Sequence, residues 1–502
     1  MSRWLVSAAH KSSGKTTVSI GLCAALSRRG LVVQPFKKGP DYIDPMWLGL
    51  AAGRACRNLD PHIAGWDEVQ AAFLRASAGT TACVVEGNHG LHDGISADGS
   101  DSNAALAVRL GLPVILVLDT RGTARGIAPL VLGYQAFEPR LKIAGVVLNR
   151  VGGSRHEGKL RQALERYTDV PVIGALGEDP RLTIAERHLG LTPSNETGAA
   201  AELIDTLGDA IARGVDIDRL IGIGAAPLAP QSPDTPRAPD AMVLGTVEHD
   251  TRTVADAPGA VRIGIARDEA FGFYYAEDLE ALRSAGARLV PFDTLRDARL
   301  PPVDALFIGG GFPEIHAAGL QANAALRREI LDRVDAGMPV YAECGGLMYL
   351  ARSITVQGER YEMVGAIPGD AVMHARPVGR GYVQLQETAA FPWPGDAPQP
   401  VRAHEFHHSS LEHLAPDTRY AYRVLRGHGV DGEHDGIVRG NLLASYAHLR
   451  SIGGLGWPAR FVDFVRGVSA GRGSNTRTCP PDAAHDRAPV CAQFTPGEVA
   501  RC

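Results

Sequence analysis

The sequence predicts an α/β protein built from two parallel-sheet domains. Two observations carry this. Short runs apolar on both faces alternate with helix-like stretches, the pattern of strands buried under helices on each side. The alternation occurs twice, separated by a segment too rich in Pro and Ala for regular structure. A chain of 502 residues also exceeds one ordinary core.

In the first block, "RWLVSAA", "LVVQPF", "TACVVEG", "LPVILVLD", "LKIAGVVLN" and "VPVIGAL" read as strands. "KTTVSIGLCAALSRRG" reads as a helix with Gly30 just past its end. This block is taken as residues 1–221 and the linker as 222–259. In the second block, 260–468, the strands are "VRIGIARD", "ARLVPFD", "VDALFIGGG" and "MPVYAECGG", with helices at "YAEDLEALRSAG" and "NAALRREILDRVDAG". Residues 469–502 are polar and rich in small residues, and are expected to be a disordered tail. Its Cys479, Cys491 and Cys502 are too widely spaced, with His485, for an ordinary zinc site.

Composition excludes several function classes. Hydrophobic residues make up 45% and the formal net charge is −5, so nothing points to a nucleic-acid backbone as partner. No apolar run is long enough to span a bilayer, and the N-terminus shows no signal-peptide pattern. Seven cysteines without paired spacing fit a reducing cytoplasm. Cys23, Cys56 and Cys83 read as packing or loop residues.

"AHKSSGKT" is a P-loop with Ala9 in place of its usual first glycine. Strand, loop and helix stand in the required order, so backbone N–H groups and the helix N-terminus face phosphate. Ser12, Ser13, Gly14, Lys15, Thr16 and Thr17 are the expected nucleotide contacts. Lys15 reaches the outer phosphates and Thr16 holds Mg²⁺. His10 stands where dimeric ATPases of the wider group carry a signature lysine, which favours a synthetase. Carboxylates follow two strand ends: Asp41 and Asp44 in "KKGPDYIDP", Glu86 and Asp93 in "VVEGNHGLHDG". In an open parallel sheet these ends form the ligand crevice. Asp41 and Glu86 are expected at the metal with Thr16; Asp41, Tyr42 and Asp93 at the substrate or acyl phosphate.

"MPVYAECGGLMYLA" places Cys344 at a strand-to-helix corner, the position of an activated nucleophile. Gly345 removes a blocking side chain, and Gly310 and Gly311 in "FIGGGFPE" offer further N–H donors for an oxyanion hole. His448 in "LLASYAHLR" is the expected base.

"GGGFPE", "YAECGGLMYL" and "SYAHLR" together resemble a cobyric-type class I glutamine amidotransferase domain. "SSGKTT", "KKGPDYIDP", "GRACRNLD" and "EGNHGLHDG" resemble the matching dethiobiotin-synthetase-like ATP domain. Over residues 1–465 the order resembles the cobyrinate (or hydrogenobyrinate) a,c-diamide synthase family. "RAHEFHHS" also resembles a family motif, with Glu405 and His407 matching. The resemblance implies ATP, Mg²⁺, L-glutamine and a tetrapyrrole acid. Ammonia released from glutamine would displace phosphate from an acyl phosphate on the a and c acetates. It also suggests that Asn149 reads adenine, and it leaves a homodimer open.

Departures from the pattern keep a siroheme-type amidase as the alternative, and a non-catalytic regulatory protein as the weaker one. His89, His92 and Leu48 replace more usual residues, and Arg376 and Arg380 stand open between carboxylate contacts and solvent. His404, His407 and His408 read as a polar strand edge at the domain interface rather than metal ligands. His448-Leu449-Arg450 lacks the usual third-position Glu, so a Cys–His dyad, or an orienting group from elsewhere, is expected.

Overall fold

The computed structural model describes residues 1–187, 190–196, 198–225, 260–393, 395, 400–452 and 455–474. In the first domain the strands are β1 (Ser2–Ala8), β2 (Val33–Lys38), β3 (Arg57–Leu59), β4 (Ala82–Glu86), β5 (Val114–Asp119), β6 (Ile143–Val151) and β7 (Val172–Gly177). They form one parallel sheet in the order β3-β2-β4-β1-β5-β6-β7. The chain winds one way from β1 and then the other, so the crevice opens at the carboxyl end of β1. The P-loop lies there and leads into α1 (Lys15–Arg28). Val18, Ile20, Leu22 and Leu26 of α1 are all buried, because the helix is covered by the sheet, by α2 (Ile43–Ala52) and by α3 (Ala200–Gly214).

The domain closes with α4 (Ile217–Gly224), which runs past the boundary set at 221. Residues 226–259, most of the expected linker, lie outside the described residues.

The second domain holds β8 (Val261–Ala266), β9 (Ala287–Phe292), β10 (Ala305–Ile308), β11 (Val340–Glu343), β12 (Gly379–Glu387), β13 (Pro400–His407), β14 (Arg419–Arg426), β15 (His434–Arg439) and β16 (Leu442–Ser445). Their nine-stranded order is β9-β8-β10-β11-β16-β15-β14-β12-β13. The first five are parallel, as expected. The remaining four extend the sheet antiparallel, an addition the apolar runs did not signal. Their exposed faces meet solvent or the first domain, so polar residues interrupt each run.

The last helix, α6 in the numbering where α5 is Gly345–Leu350, spans Trp457–Ser474. The boundary set near 468 therefore falls inside a helix, and residues 469–474 are helical rather than tail. The reason is register: Trp457, Phe461, Val462 and Val465 recur on one buried face, and the helix carries on beyond it. Residues 475–502, with Cys479, His485, Cys491 and Cys502, lie outside the described residues. No helix among the described residues is long and apolar enough to cross a membrane.

Trp457 is 1% exposed and its ring centroid lies 5.0 Å from Tyr341 and 5.4 Å from Phe307. Trp457→Ala should lower the unfolding free energy by about 3–5 kcal/mol through lost burial and a residual cavity. Urea unfolding followed by circular dichroism checks this; a change under about 1 kcal/mol would show that α6 adds little to the core.

Candidate active site

The P-loop is braced from within. Ser13 is buried and its hydroxyl donates to the His10 carbonyl at 2.8 Å. Gly14 has φ 92, a conformation that suits glycine at the helix entry. Asn149, at the end of β6, donates its amide N–H to the Ser13 carbonyl at 2.9 Å. The structure thus uses Asn149 to hold the loop, whatever the base of a nucleotide does. Ser12 sits at φ 61, with the Arg150 guanidinium on its carbonyl at 2.9 Å. Thr17 follows in the first turn of α1.

Behind the loop lies a buried charge cluster. The Thr16 hydroxyl donates to Glu86 Oε1 at 2.8 Å. Lys37 Nζ lies 2.7 Å from Glu86 Oε1 and 2.5 Å from Asp44 Oδ2. Burial opposes the Lys37 charge, but Asp44 and Glu86 hold its proton well above the usual lysine range. Burial alone lowers Lys15, and the Lys37 charge lowers it further. Asp44, not in the metal set expected from sequence, is nearer Thr16 and Glu86 than Asp41 is. Asp41 instead accepts the N–H groups of Ile43 and Asp44 at 2.9 and 3.1 Å, capping α2. Burial and the adjacent Asp44 push Asp41 up to about 7.

The oxygen set suits a hard cation. Glu86 Oε2 is buried with no hydrogen-bond partner, and a lysine ammonium already fills the cationic role beside it. Among the described residues no group of three or more His, Cys, Asp or Glu forms a closed metal cage. Mg²⁺ takes one or two carboxylates and completes its shell with phosphate and water, and the unpartnered Glu86 oxygen beside Thr16 is a donor of that kind. Thr16, Glu86 and Asp44 would hold it.

In the second domain, Cys344 occupies the corner between β11 and α5 with φ 49 and ψ −102. This strained backbone presents Cys344 to the cavity. Gly346 is obligatory, since a Cβ there would stand 2.2 Å from the Ile308 carbonyl oxygen. A Cβ on Gly345 would stand 3.0 Å from the Gly311 nitrogen, and one on Gly310 2.8 Å from His448 Cε1. The three glycines expected at the oxyanion hole therefore gather around Cys344 and His448.

His448 lines the same cavity as Cys344 and faces Glu343, Nδ1 to Oε2 3.3 Å, while the Cys344 thiol donates to the Phe406 carbonyl at 3.9 Å. Glu343 also accepts the Leu449 N–H at 2.9 Å and the Tyr341 hydroxyl at 2.5 Å. Burial pulls the His448 imidazole down, but Cys344 and Glu343 outweigh it and hold it up to about 10. Glu343 is the group sequence reasoning missed. Its signal was present, a glutamate ending an apolar strand directly before the nucleophile. The position two after His448 is Arg450, 1% exposed, its guanidinium 3.8 Å from the Tyr275 ring centroid.

The histidines of "RAHEFHHS" divide as a strand requires. His404 lines the cavity and exchanges backbone bonds with His448. Burial and the neighbouring His448 draw its imidazole down to about 3, so it is neutral. His407 is buried, stacked 3.8 Å from the Tyr446 ring, with Glu405 Oε2 at 3.6 Å.

One cavity of about 520 Å³ runs from Cys344 and His448 to the loops that follow β2 and β4. Its walls include Asp41, Tyr42 and Asp93 from the first domain and Gly311, Cys344 and His448 from the second. Tyr42 crosses between them, its ring 4.9 Å from His448, 4.2 Å from Tyr275 and 5.5 Å from Phe273. Asp93 is exposed there and accepts the Gly90 N–H at 2.9 Å.

Residues 5–191 match the family model of the CobQ/CobB/MinD/ParA nucleotide binding domain, and residues 262–452 that of the CobB/CobQ-like glutamine amidotransferase domain. A cobyrinate a,c-diamide synthase of Magnetococcus marinus is 47% identical over 464 residues, covering 92% of this chain and 97% of its own. One from Methanosarcina acetivorans is 40% identical over 474 residues, covering 90% and 92%. One from Listeria monocytogenes is 39% identical over 456 residues, covering 89% and 96%. With both halves matched in order and the whole length shared, the chain belongs to the cobyrinate a,c-diamide synthase family, glutamine-dependent amide ligases with a nucleotide-binding domain.

Proposed function

We propose that the chain amidates the a and c acetate carboxylates of cobyrinic acid, or its cobalt-free counterpart, using glutamine and ATP. The observation that carries this is the single cavity running from Cys344 and His448 to Asp41 and Asp93. A glutaminase and a P-loop site are useful to one another only if ammonia passes between them. The names of the relatives favour this substrate over siroheme. Both sites lie in one chain, so the reaction needs no second copy. The family of the relatives and the scattered cysteines support a cytoplasmic setting.

The Cys344 sulfur attacks the glutamine carboxamide, Gly311 and Gly345 N–H groups face the oxyanion, and His448 gives its proton to the departing ammonia. Water then cleaves the thioester to glutamate. In the other site the substrate carboxylate takes the γ-phosphoryl group of ATP, releasing ADP. Lys15 and the P-loop N–H groups stabilise charge on the transferring group. Mg²⁺, held by Thr16, Glu86 and Asp44, supplies further positive charge to the phosphates. Ammonia attacks the acyl phosphate, phosphate leaves, and a proton is lost from nitrogen to give the amide. Asp41, Tyr42 and Asp93 border the place where this occurs. Asn149 keeps its amide oxygen for the adenine amino group.

Cys344→Ser should abolish glutamine-dependent amidation and leave amidation with ammonium chloride at high pH. Product mass gain checks both; equal loss with either nitrogen source would refute separate sites. Lys15→Ala should remove product from both nitrogen sources by at least about a hundredfold, since one P-loop cation on the transferring group is worth ~3 kcal/mol. Retained ammonia-dependent product would place ATP elsewhere.

Glu343→Gln should lower glutaminase kcat by at least about tenfold. A carboxylate favours the protonated imidazole, so without it His448 loses its proton at lower pH. The alkaline limb of kcat/KM for glutamine should therefore move acidward from the region near the His448 value of about 10. An unmoved alkaline limb would show that Glu343 serves only the fold.

A further inference from the structure

We infer that the amidotransferase domain supplies an anion-binding wall of the acceptor site: Arg380, flanked by Arg402 and Arg426, holds carboxylates of the tetrapyrrole that are not being amidated. This rests on the reading above that a polycarboxylic tetrapyrrole is the substrate.

The wall follows from strand register. β12 pairs β13 antiparallel with Arg380 opposite Phe406, Tyr382 opposite His404 and Gln384 opposite Arg402. Arg426 of β14 is opposite Gln384 on the other side. Residues directly opposite share a face, and steps of two along a strand return to it. Arginines from three strands are thereby set on one face, and other contacts show which way it looks. Arg380, Tyr382, His404 and Phe406 line the shared cavity. The Tyr382 hydroxyl donates to both Asp60 oxygens at 3.1 Å, across the domain boundary. Arg402 donates to the His62 carbonyl at 3.3 Å, and His62 feels both Arg402 and Arg426.

These arginines differ from others of the same domain. Arg296 meets Glu269 and Asp293, Arg352 meets Asp370, and Arg460 meets Glu387. Among the described residues no carboxylate is paired with Arg380, Arg402 or Arg426. Arg380 lies over the Phe406 ring, 5.3 Å from its centroid, and is exposed. Like charges crowded on neighbouring strands repel one another. A ligand with several carboxylates converts that cost into binding, through bidentate guanidinium contacts.

Size and charge agree with this ligand class. A cavity of about 520 Å³ is too small for an entire corrin, so it admits the edge that carries the reacting acetates. The remaining carboxylates stay at the rim. On the first-domain side the cavity is walled by Asp41, Asp93 and Asp101, which repel them, and by Lys38, whose ammonium donates to Asn88 at 3.1 Å. The arginine face is where they are neutralised. The Phe406 ring beside Arg380 gives the macrocycle a flat apolar surface.

The test uses the full chain with cobyrinic acid, ATP and glutamine. Arg380→Gln should raise KM for cobyrinic acid at least tenfold, while kcat and KM for ATP change less than threefold. Arg402→Gln/Arg426→Gln together should raise it further. The salt dependence of that KM should flatten in each variant, which a merely structural role would not produce. Thermal melting matched to wild type confirms that the variants fold, and direct binding of cobyrinic acid by absorbance titration should weaken in parallel. Wild-type turnover with unchanged KM and salt dependence in the variants overturns this inference alone. No wild-type turnover of either cobyrinic acid or its cobalt-free counterpart overturns the substrate reading and this inference with it.

Discussion

The molecule depends on one intrusion: the loop after β2 of the nucleotide-binding domain enters the amidotransferase domain. Asp41 fixes its shape by capping α2, and Tyr42 then projects between Tyr275 and His448. Around it, Tyr275 donates its hydroxyl to the Pro40 carbonyl at 3.1 Å, and Arg57 pairs with both oxygens of Glu280. These contacts shut the space between the domains into a cavity. The loop that carries Asp41 is also the part of the first domain that touches His448 of the second. Any movement of Asp41 is felt at His448 through a single side chain.

A second constraint is charge. Asp44 and Glu86 are too buried to remain ionised without compensation, and Lys37 gives it. A buried acid left without its partner costs several kcal/mol, so the cluster must stay nearly neutral at every stage. This explains why carboxylates at the crevice come with a lysine from the same strand end. It also explains why sequence alone put Asp41 where Asp44 is. Both follow β2 by a few residues, and only the turn decides which one points inward. Asp41 spends an oxygen on two backbone N–H groups, leaving Asp44 to reach Thr16 at 3.4 Å.

What was legible in the sequence is what repeats or punctuates. Strands buried on both faces appear as apolar runs, so β1, β4, β5, β6, β8, β10 and β11 were readable. The P-loop and the Cys344 corner were readable because glycine spacing marks where backbone must approach a ligand. The antiparallel strands were not, since "GRGYVQLQE" alternates buried Val383 and Leu385 with residues that face the other domain. A half-covered strand in contact with another domain is polar for functional reasons, and hydropathy reads it as loop. The length of α6 was missed because its last residues, "AGRGS", are small or polar and carry no apolar pattern.

The partners of Glu343 and Arg450 were not read from the sequence for a related reason: each side chain meets a neighbour distant in sequence. β11 and β16 are adjacent and parallel, with Glu343 opposite Ser445. A side chain at the end of β11 therefore overhangs the segment three and four residues beyond Ser445, where His448 and Leu449 lie. The orienting carboxylate can come from β11 without any residue in the loop itself. That frees the position two after the histidine for other work, and its surroundings dictate what stands there. Asp278, Glu277 and Asp60 all converge on Arg450, and burial pushes Asp278 up to about 7 despite it. A glutamate at 450 would add a fourth acid to a dry interface, where like charges repel strongly. The arginine instead neutralises acids from both domains and lies on Tyr275, which in turn supports Tyr42. The carboxylate that faces His448 comes from β11, and the position two after that histidine holds a cation that joins the two domains beside it.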